Sequence, residues 1–99
     1  RSNDPNAVEG PDRNRPREFL EQFPLDTLSM VGTLDIGNTT YGLVQTRDGL
    51  IHRVVPGNYL GQNDGRIVAV TDSEIQVVEI ISDGIGGYLE REAAISLSD

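Results

Sequence analysis

Closely spaced turn signals constrain the fold of this chain more than any other feature of its sequence. Beyond residue 24, short runs rich in Val, Ile, Leu and Thr alternate with clusters of Gly, Asn, Asp and Pro. Runs of this length between such clusters are typical of β-strands. The clusters leave no room for a helix of ordinary length, so the sequence predicts an all-β domain. They occupy residues 37–40, 48–49, 56–58, 61–65, 71–73 and 82–87.

The segments between these turns predict the strands. The pair Asp48-Gly49 is typical of a tight hairpin turn, because both residues tolerate positive φ. Residues 74–81 are rich in branched side chains and partly apolar on both sides, which favours a central strand. The first run alternates apolar and polar residues, so one side of its strand is expected to hold Leu28, Met30, Gly32, Leu34 and Ile36. We expect a small β-sandwich or partly open barrel of about six to seven short antiparallel strands.

Residues 1–24 differ in composition from the rest of the chain. Before Phe19 they hold three prolines, and their only aliphatic side chains are Ala7 and Val8. Such a stretch buries too little surface to offset chain entropy, so we expect a disordered linker, followed by a folded domain at residues 25–99. Phe19 and Phe23 would share one side of a short helical turn that Pro24 ends. They form either a strap packed on the domain edge or a linear docking motif that orders on a partner.

The charge of the chain argues against polyanionic partners. Acidic residues outnumber basic ones by 16 to 8, and the formal net charge is −8. A protein of this charge is repelled by nucleic acid and by anionic lipid headgroups. We therefore expect no nucleic-acid partner. We also expect no direct membrane insertion, because no run is long and apolar enough to cross a bilayer.

No motif in the sequence predicts catalysis, a metal site or a cofactor. His52 is the single histidine and there is no cysteine, so a metal would have only carboxylates as further ligands. A small hydrolase would need a nucleophile and base within reach, and the spacing shows no such pair. Residues 83–87 resemble a phosphate loop, but no helix follows them and the chain lacks lysine. Gly86 and Gly87 are therefore expected to shape a hairpin in a protein that is not an enzyme.

The segment 52–67 carries the most information. Gly57, Gly61 and Gly65 separate the apolar pair Tyr59-Leu60 from polar turns. This spacing predicts a tightly bent corner between strands, in which Tyr59 and Leu60 close one end of the core.

The same segment resembles the core motif of the PilP family, the inner-membrane lipoproteins of type IV pilus assembly. Segments 28–34 and 83–91 also match the family, in the expected order, so that the resemblance covers about residues 19–97. The matching motif residues are His52-Arg53-Val54, Gly57-Asn58-Tyr59-Leu60-Gly61-Gln62-Asn63 and Gly65-Arg66-Ile67.

The resemblance implies a periplasmic β-sandwich, tethered to the inner membrane by a lipid anchor upstream of this chain. It implies two partners: the inner-membrane pair PilN–PilO, bound by the extended proline-rich region, and the outer-membrane secretin PilQ, associated with the folded domain. A similar domain, the homology region of a type II secretion protein that contacts its own secretin, is an alternative.

Two further expectations concern how such a domain binds. Docking through an exposed strand edge, supported by charge, makes Arg53 and Arg66 candidate contact residues beside Phe19 and Phe23. A carbohydrate-binding β-module is the competing class, and it would need Tyr41, Tyr59 or Tyr88 as exposed stacking platforms.

Overall fold

The structure is a computed structural model that describes residues 7–98, and in that range it contains eight β-strands and two short 3-10 helices. The helices are Phe19–Gln22 and Leu25–Thr27. The strands are β1 (Ala7–Val8), β2 (Ser29–Ile36), β3 (Thr39–Gln45), β4 (Ile51–Val54), β5 (Tyr59–Leu60), β6 (Gly65–Val70), β7 (Glu74–Ser82) and β8 (Tyr88–Ser96).

The strands form two antiparallel sheets that pack face to face. One sheet has the order β1-β8-β7-β6-β5 and the other the order β2-β3-β4. The all-β sandwich is therefore confirmed, with β7 in the middle of its sheet as its composition predicts. The strand count is slightly higher than predicted because β1 and β5 are only two residues long. Periodicity cannot be read from two residues.

The core lies between the inward faces of the two sheets. On β7, Ile75 and Val77 point inward and are almost fully buried, while Gln76 between them is partly exposed. Gly42 on β3 lets the sheets approach, since a Cβ there would lie 2.9 Å from the Ile75 Cδ1 atom. The largest fully buried side chains are those of Met30, Val44, Leu60, Ile67, Ile75 and Val77.

One sequence expectation about β2 is wrong. Met30 pairs with Val44 but Gly32 pairs with Leu43, so Val31 is an extra residue that shifts the register. Such a bulge moves every later side chain to the opposite face. Leu34 and Ile36 consequently point outward, with 40% and 47% of their surface exposed, instead of joining Met30 in the core.

The expected linker has a defined course over residues 7–24. β1 pairs with Leu89 and Tyr88 of β8, and Leu20 is 5% exposed within the core. The expectation of disorder differs from the structure here because Leu20 fills an apolar site in the core, which the composition of residues 1–24 does not reveal. Residues 1–6 lie outside the described range, and the domain boundary near residue 24 stays a prediction.

Candidate docking surfaces

A cluster of ion pairs fastens residues 15–21 to the corner before β6. The Arg15 guanidinium donates hydrogen bonds to both Glu21 carboxylate oxygens, at 2.9 and 2.7 Å, and to Asp64 at 3.0 Å. Arg17 also pairs with Glu21 and Asp64. Asp64 has a φ of 51°, a region that non-glycine residues seldom adopt. Its two arginine partners help to stabilise that backbone. We call residues 15–23 the strap.

The electrostatics of the cluster favour its charged forms. The Glu21 side chain is 3% exposed, yet its pKa is lowered to about 2, first by the hydrogen bond from Arg15. The Glu18 backbone N–H and Arg17 lower it further, and together they outweigh burial, which acts in the opposite direction. The pKa of Arg15 is raised by the same Glu21 hydrogen bond. The strap is thus fixed by a buried carboxylate that stays ionised.

The predicted corner contains Tyr59 and Leu60 as expected. Leu60 is fully buried, whereas Tyr59 is half-buried, and its ring lies 3.5 Å from the Arg15 guanidinium carbon. The Tyr59 backbone N–H donates to the Glu18 carboxylate at 3.1 Å. At Gly65 a Cβ would lie 2.7 Å from the Leu60 carbonyl oxygen, so a side chain there would clash with backbone. Positive φ occurs at Gly57, Gly61 and Gly86, and the Gly87 N–H donates to Asp83.

The outward side of the three-stranded sheet is unusually apolar. Directly paired residues share one face of a sheet, and the pairs Leu34–Tyr41, Leu43–Arg53 and Gln45–Ile51 all lie opposite the buried Val44. Ile51 is 54% exposed at one end of this side, and Leu34 and Ile36 are similarly exposed toward the other end, on the far side of β3. We call this surface the apolar face, and it consists of Leu34, Ile36, Tyr41, Leu43 and Ile51.

The structure separates the two candidate arginines. Arg53 lies on the same side as the apolar face, with its guanidinium carbon 5.2 Å from the centre of the Tyr41 ring. Arg66 pairs with Val78 on the outward side of the five-stranded sheet, on the other side of the sandwich. Neither arginine forms an ion pair with another described residue. The two therefore belong to different candidate surfaces.

Phe19 and Phe23 meet edge to face in the strap, with ring centres 5.5 Å apart. Phe23 packs against the core, and Phe19 lies 4.8 Å from the His52 ring while keeping 48% of its surface exposed. These contacts correspond to the strap alternative of the sequence analysis. They leave about half of the Phe19 surface accessible to a partner.

A buried carboxylate lies at the open end of the sandwich. Glu79 is 2% exposed and accepts hydrogen bonds from Arg91 at 2.8 Å and from the Asn63 amide at 3.2 Å. These residues border a cavity of about 550 Å³ that Leu25 and Leu28 also line. No sequence motif predicts this pair, although the β7–β8 hairpin register could have indicated it, because Glu79 and Arg91 are directly opposite.

The described residues show little that resembles a reactive centre. None of their His, Asp and Glu side chains form a group of three that could hold a metal ion. The buried Nε2 atom of His52 has no hydrogen-bond partner among them, and the ring stacks on Phe19 instead of on a nucleophile. Across residues 7–98, no helix is long and apolar enough to cross a bilayer.

Comparisons with known proteins give a consistent result. The family described as "Pilus assembly protein, PilP" matches residues 1–97. The type IV pilus inner membrane component PilP of Pseudomonas aeruginosa is 44% identical over 94 residues, which make up 95% of this chain and 53% of that protein. The chain thus spans about half the length of this curated relative.

Solved structures agree in fold. A domain of the type IV pilus biogenesis lipoprotein PilP from P. aeruginosa has a TM-score of 0.81 at 45% identity, covering 88% of this chain and 99% of that one. A domain of the PilP pilot protein from Neisseria meningitidis has a TM-score of 0.69 at 38% identity, covering 93% and 80%. The similarity therefore includes the sandwich and not only the motif in residues 52–67.

Proposed function

The chain belongs to the PilP family of pilus assembly proteins, and from this membership we propose that it is a non-catalytic scaffold of type IV pilus biogenesis. In this proposal it works in the periplasm, tethered to the inner membrane by a lipid anchor outside the chain. It links the inner-membrane pair PilN–PilO to the secretin PilQ of the outer membrane. The extended region before the sandwich binds the pair, and the sandwich binds the secretin.

The observation that carries the secretin contact is the apolar face. An antiparallel sheet normally turns polar side chains to the solvent. Here three large aliphatic side chains, each at least 40% exposed, lie on one outward side of a three-stranded sheet, with Leu43 and Tyr41 between them. Contiguous apolar surface rimmed by polar residues is typical of protein-binding sites. We assign this face to the secretin, with Arg53 at its rim contributing charge.

The assignment is tested by titrating the chain with a periplasmic fragment of PilQ in a calorimeter. Leu34→Glu places a charge within the apolar face and should weaken binding by at least about ten-fold, since it buries an unpaired carboxylate. Because Leu34 is already exposed, the thermal unfolding midpoint should change little. Unaltered affinity in this variant would contradict the assignment.

Arg53 and Arg66 provide a matched pair of charge reversals. Both are exposed cations on strands, but they lie on opposite sides of the sandwich. Arg53→Glu should weaken PilQ binding several-fold with the same midpoint of unfolding, and Arg66→Glu serves as its control. If only Arg66→Glu weakens binding, the secretin docks on the five-stranded sheet instead. If neither does, both residues are excluded as contacts.

The carbohydrate-binding alternative fits the tyrosines poorly. Arg53 lies near the Tyr41 ring, Arg15 covers Tyr59, and Arg13 donates a hydrogen bond to the Tyr88 hydroxyl. A sugar needs a free aromatic face on which to stack. A glycan array read beside a pull-down with PilN, PilO and PilQ, using a protein with the upstream region restored, separates the two classes. Retention of a glycan without any pilus component would favour the alternative.

A further inference from the structure

Strand β8 has an open edge along most of its length. β1 pairs only with Leu89 and Tyr88, although β8 extends to Ser96. Across the other edge, β7 pairs with β8 without interruption from Ser82 to Glu74. The part of β8 from residue 90 to 94 therefore has a partner on one side and none on the other within the described residues, and beyond it Leu97 forms a bridge with Met30 of β2.

The hydrogen-bond pattern identifies which groups are free. The Asp83 N–H donates to the Gly87 carbonyl, and the Leu97 N–H donates to the Ser73 carbonyl. Odd-numbered residues of β8 therefore direct their backbone groups toward β7, since the direction alternates along a strand. The N–H and C=O groups of the even-numbered residues point to the open edge. The Ser98 N–H continues the pattern by donating away from β7, to Met30. The free set is the N–H and C=O groups of Glu90, Glu92 and Ala94 and the N–H of Ser96, since the Ser96 C=O faces Met30 in the bridge between Met30 and Leu97.

This edge differs from the others in length and regularity. β4 has only four residues, and Asn58 closes its end by exchanging hydrogen bonds with Val55. β2 is interrupted by its bulge, and bulges discourage strand addition. β8 offers five regular residues from Glu90 to Ala94. It is the edge most suited to receive another strand.

The negative charge beside the β8 edge indicates which kind of strand would pair with it. Glu90 and Glu92 point outward on one side of β8 and are exposed, and neither forms an ion pair with a described residue. Their cross-strand neighbours on β7 are the apolar Ile80 and Val78. Opposite charges on directly paired residues stabilise a sheet, and like charges destabilise it. The occupant should therefore carry cations two residues apart.

A second copy of this chain suits the edge poorly. Pairing antiparallel through β8, it would bring Glu90 and Glu92 close to their own copies, and carboxylates brought together destabilise a sheet.

We propose that the β8 edge is a strand-addition site for an extended segment of a partner protein with Lys or Arg at alternate positions. The added strand exchanges backbone hydrogen bonds with Glu90, Glu92, Ala94 and Ser96. Its cations face Glu90 and Glu92. This inference goes beyond the proposed function, because the apolar face belongs to the other sheet and its secretin contact can hold or fail independently.

The first test is backbone amide hydrogen exchange, read by NMR on the free chain. The odd-numbered amides of β8 should exchange slowly, and the amides of Glu90, Glu92, Ala94 and Ser96 quickly. An alternating pattern supports an open edge. Equal protection of both sets in the free chain would overturn the proposal, because the edge would then already be paired.

The second test adds an eight-residue peptide of alternating Thr and Lys, with blocked ends. Binding should slow exchange at the four even-numbered amides. The control is the same peptide with alternate backbone amides methylated, which keeps the charge but cannot donate edge hydrogen bonds. Equal binding of the methylated peptide, or binding without new protection, would show a general attraction to an acidic protein and overturn the proposal.

Two sets of variants test the register and the charge. Ala94→Pro removes an edge donor without touching the β7 ladder and should abolish peptide binding, while Ala94→Val keeps the donor and should bind normally. Glu90→Lys with Glu92→Lys changes only exposed side chains, so it remains informative if the proline variant does not fold. This double variant should bind the Thr–Lys peptide about five-fold or more weakly. It should instead favour a peptide of the same length with Glu in place of Lys. An unchanged preference would overturn the proposal.

Discussion

Single residues decide how firmly the strap is held. Glu21 is the central acceptor: it binds Arg15 and Arg17 and also the Glu18 backbone N–H. A buried ionic cluster contributes little net free energy to folding. Removing one member nevertheless destabilises the fold strongly, because the remaining buried charges lose their partners. The strap therefore depends on the protonation state of this carboxylate.

The first prediction is a loss of stability in acid. The folded-state pKa of Glu21 is about 2, below its ordinary value of 4.5, so its contribution is fully present above that value and disappears as the pH falls toward 2. The shift corresponds to on the order of 3 kcal/mol. Urea unfolding at pH about 6 and about 3 measures this, with Glu21→Gln as the control. At pH about 6 the variant should have a lower free energy of unfolding than the unaltered chain, and at pH about 3 the difference between the two should be smaller. A constant difference would contradict the role of Glu21.

The second prediction concerns the corner. Leu60→Ala should lower the free energy of unfolding by about 2–5 kcal/mol, since Leu60 is fully buried between the sheets. Tyr59→Ala should also destabilise, through loss of its contact with Arg15, whereas Tyr59→Phe keeps the ring and should be close to neutral. Leu50→Ala is the matched control, because Leu50 is 53% exposed. Equal losses at residues 50 and 60 would contradict this account.

At this scale, local chemistry could be predicted and long-range contacts could not. The glycines and the apolar pair of the corner lie within nine residues of one another, and their arrangement follows from turn chemistry. Arg15 and Asp64 are separated by 49 positions. Nothing local marks Arg15 among the four arginines of residues 1–24, so the ionic cluster depends on a fold that already exists.

The elements show the same division. The hairpins were predictable because turn residues and alternation agree, as at Asp48-Gly49 and between β7 and β8. The bulge at Val31 was not, because its sequence continues the alternation that the backbone breaks. That single extra residue turns Leu34 and Ile36 outward and so supplies two of the five residues of the apolar face. The candidate site thus arises where the local pattern fails.

The third prediction tests the strap as an element. A chain that starts at residue 25 should be less stable than one that starts at residue 12 by about 3 kcal/mol, because it loses the buried Leu20 side chain. It also loses the hydrogen bond from the Gly61 N–H to the Leu20 carbonyl. Denaturant unfolding of both chains measures the difference. Equal midpoints of unfolding would mean that residues 12–24 add no stability. The cooperatively folding domain would then be residues 25–99, as the composition predicts.

The whole molecule presents separate surfaces on one rigid core. The strap contacts β5 and reaches His52 on β4 through Phe19, so it lies along the side where the two sheets meet. The apolar face looks outward from the three-stranded sheet, and the strap contacts described above lie elsewhere. An upstream tether that enters through the strap therefore leaves the apolar face uncovered.

The last prediction follows from this separation. If the upstream region binds PilN–PilO and the apolar face binds PilQ, one molecule should hold both partners at once, with neither affinity altered by more than about two-fold, since no surface is shared. Sedimentation of the protein with its upstream region restored, mixed with both partners, should show a ternary complex. Leu34→Glu should remove PilQ from it and leave PilN–PilO bound. Mutual exclusion of the partners would mean that the strap, not the apolar face, carries the secretin contact, and its exposed Phe19 would be the first residue to test.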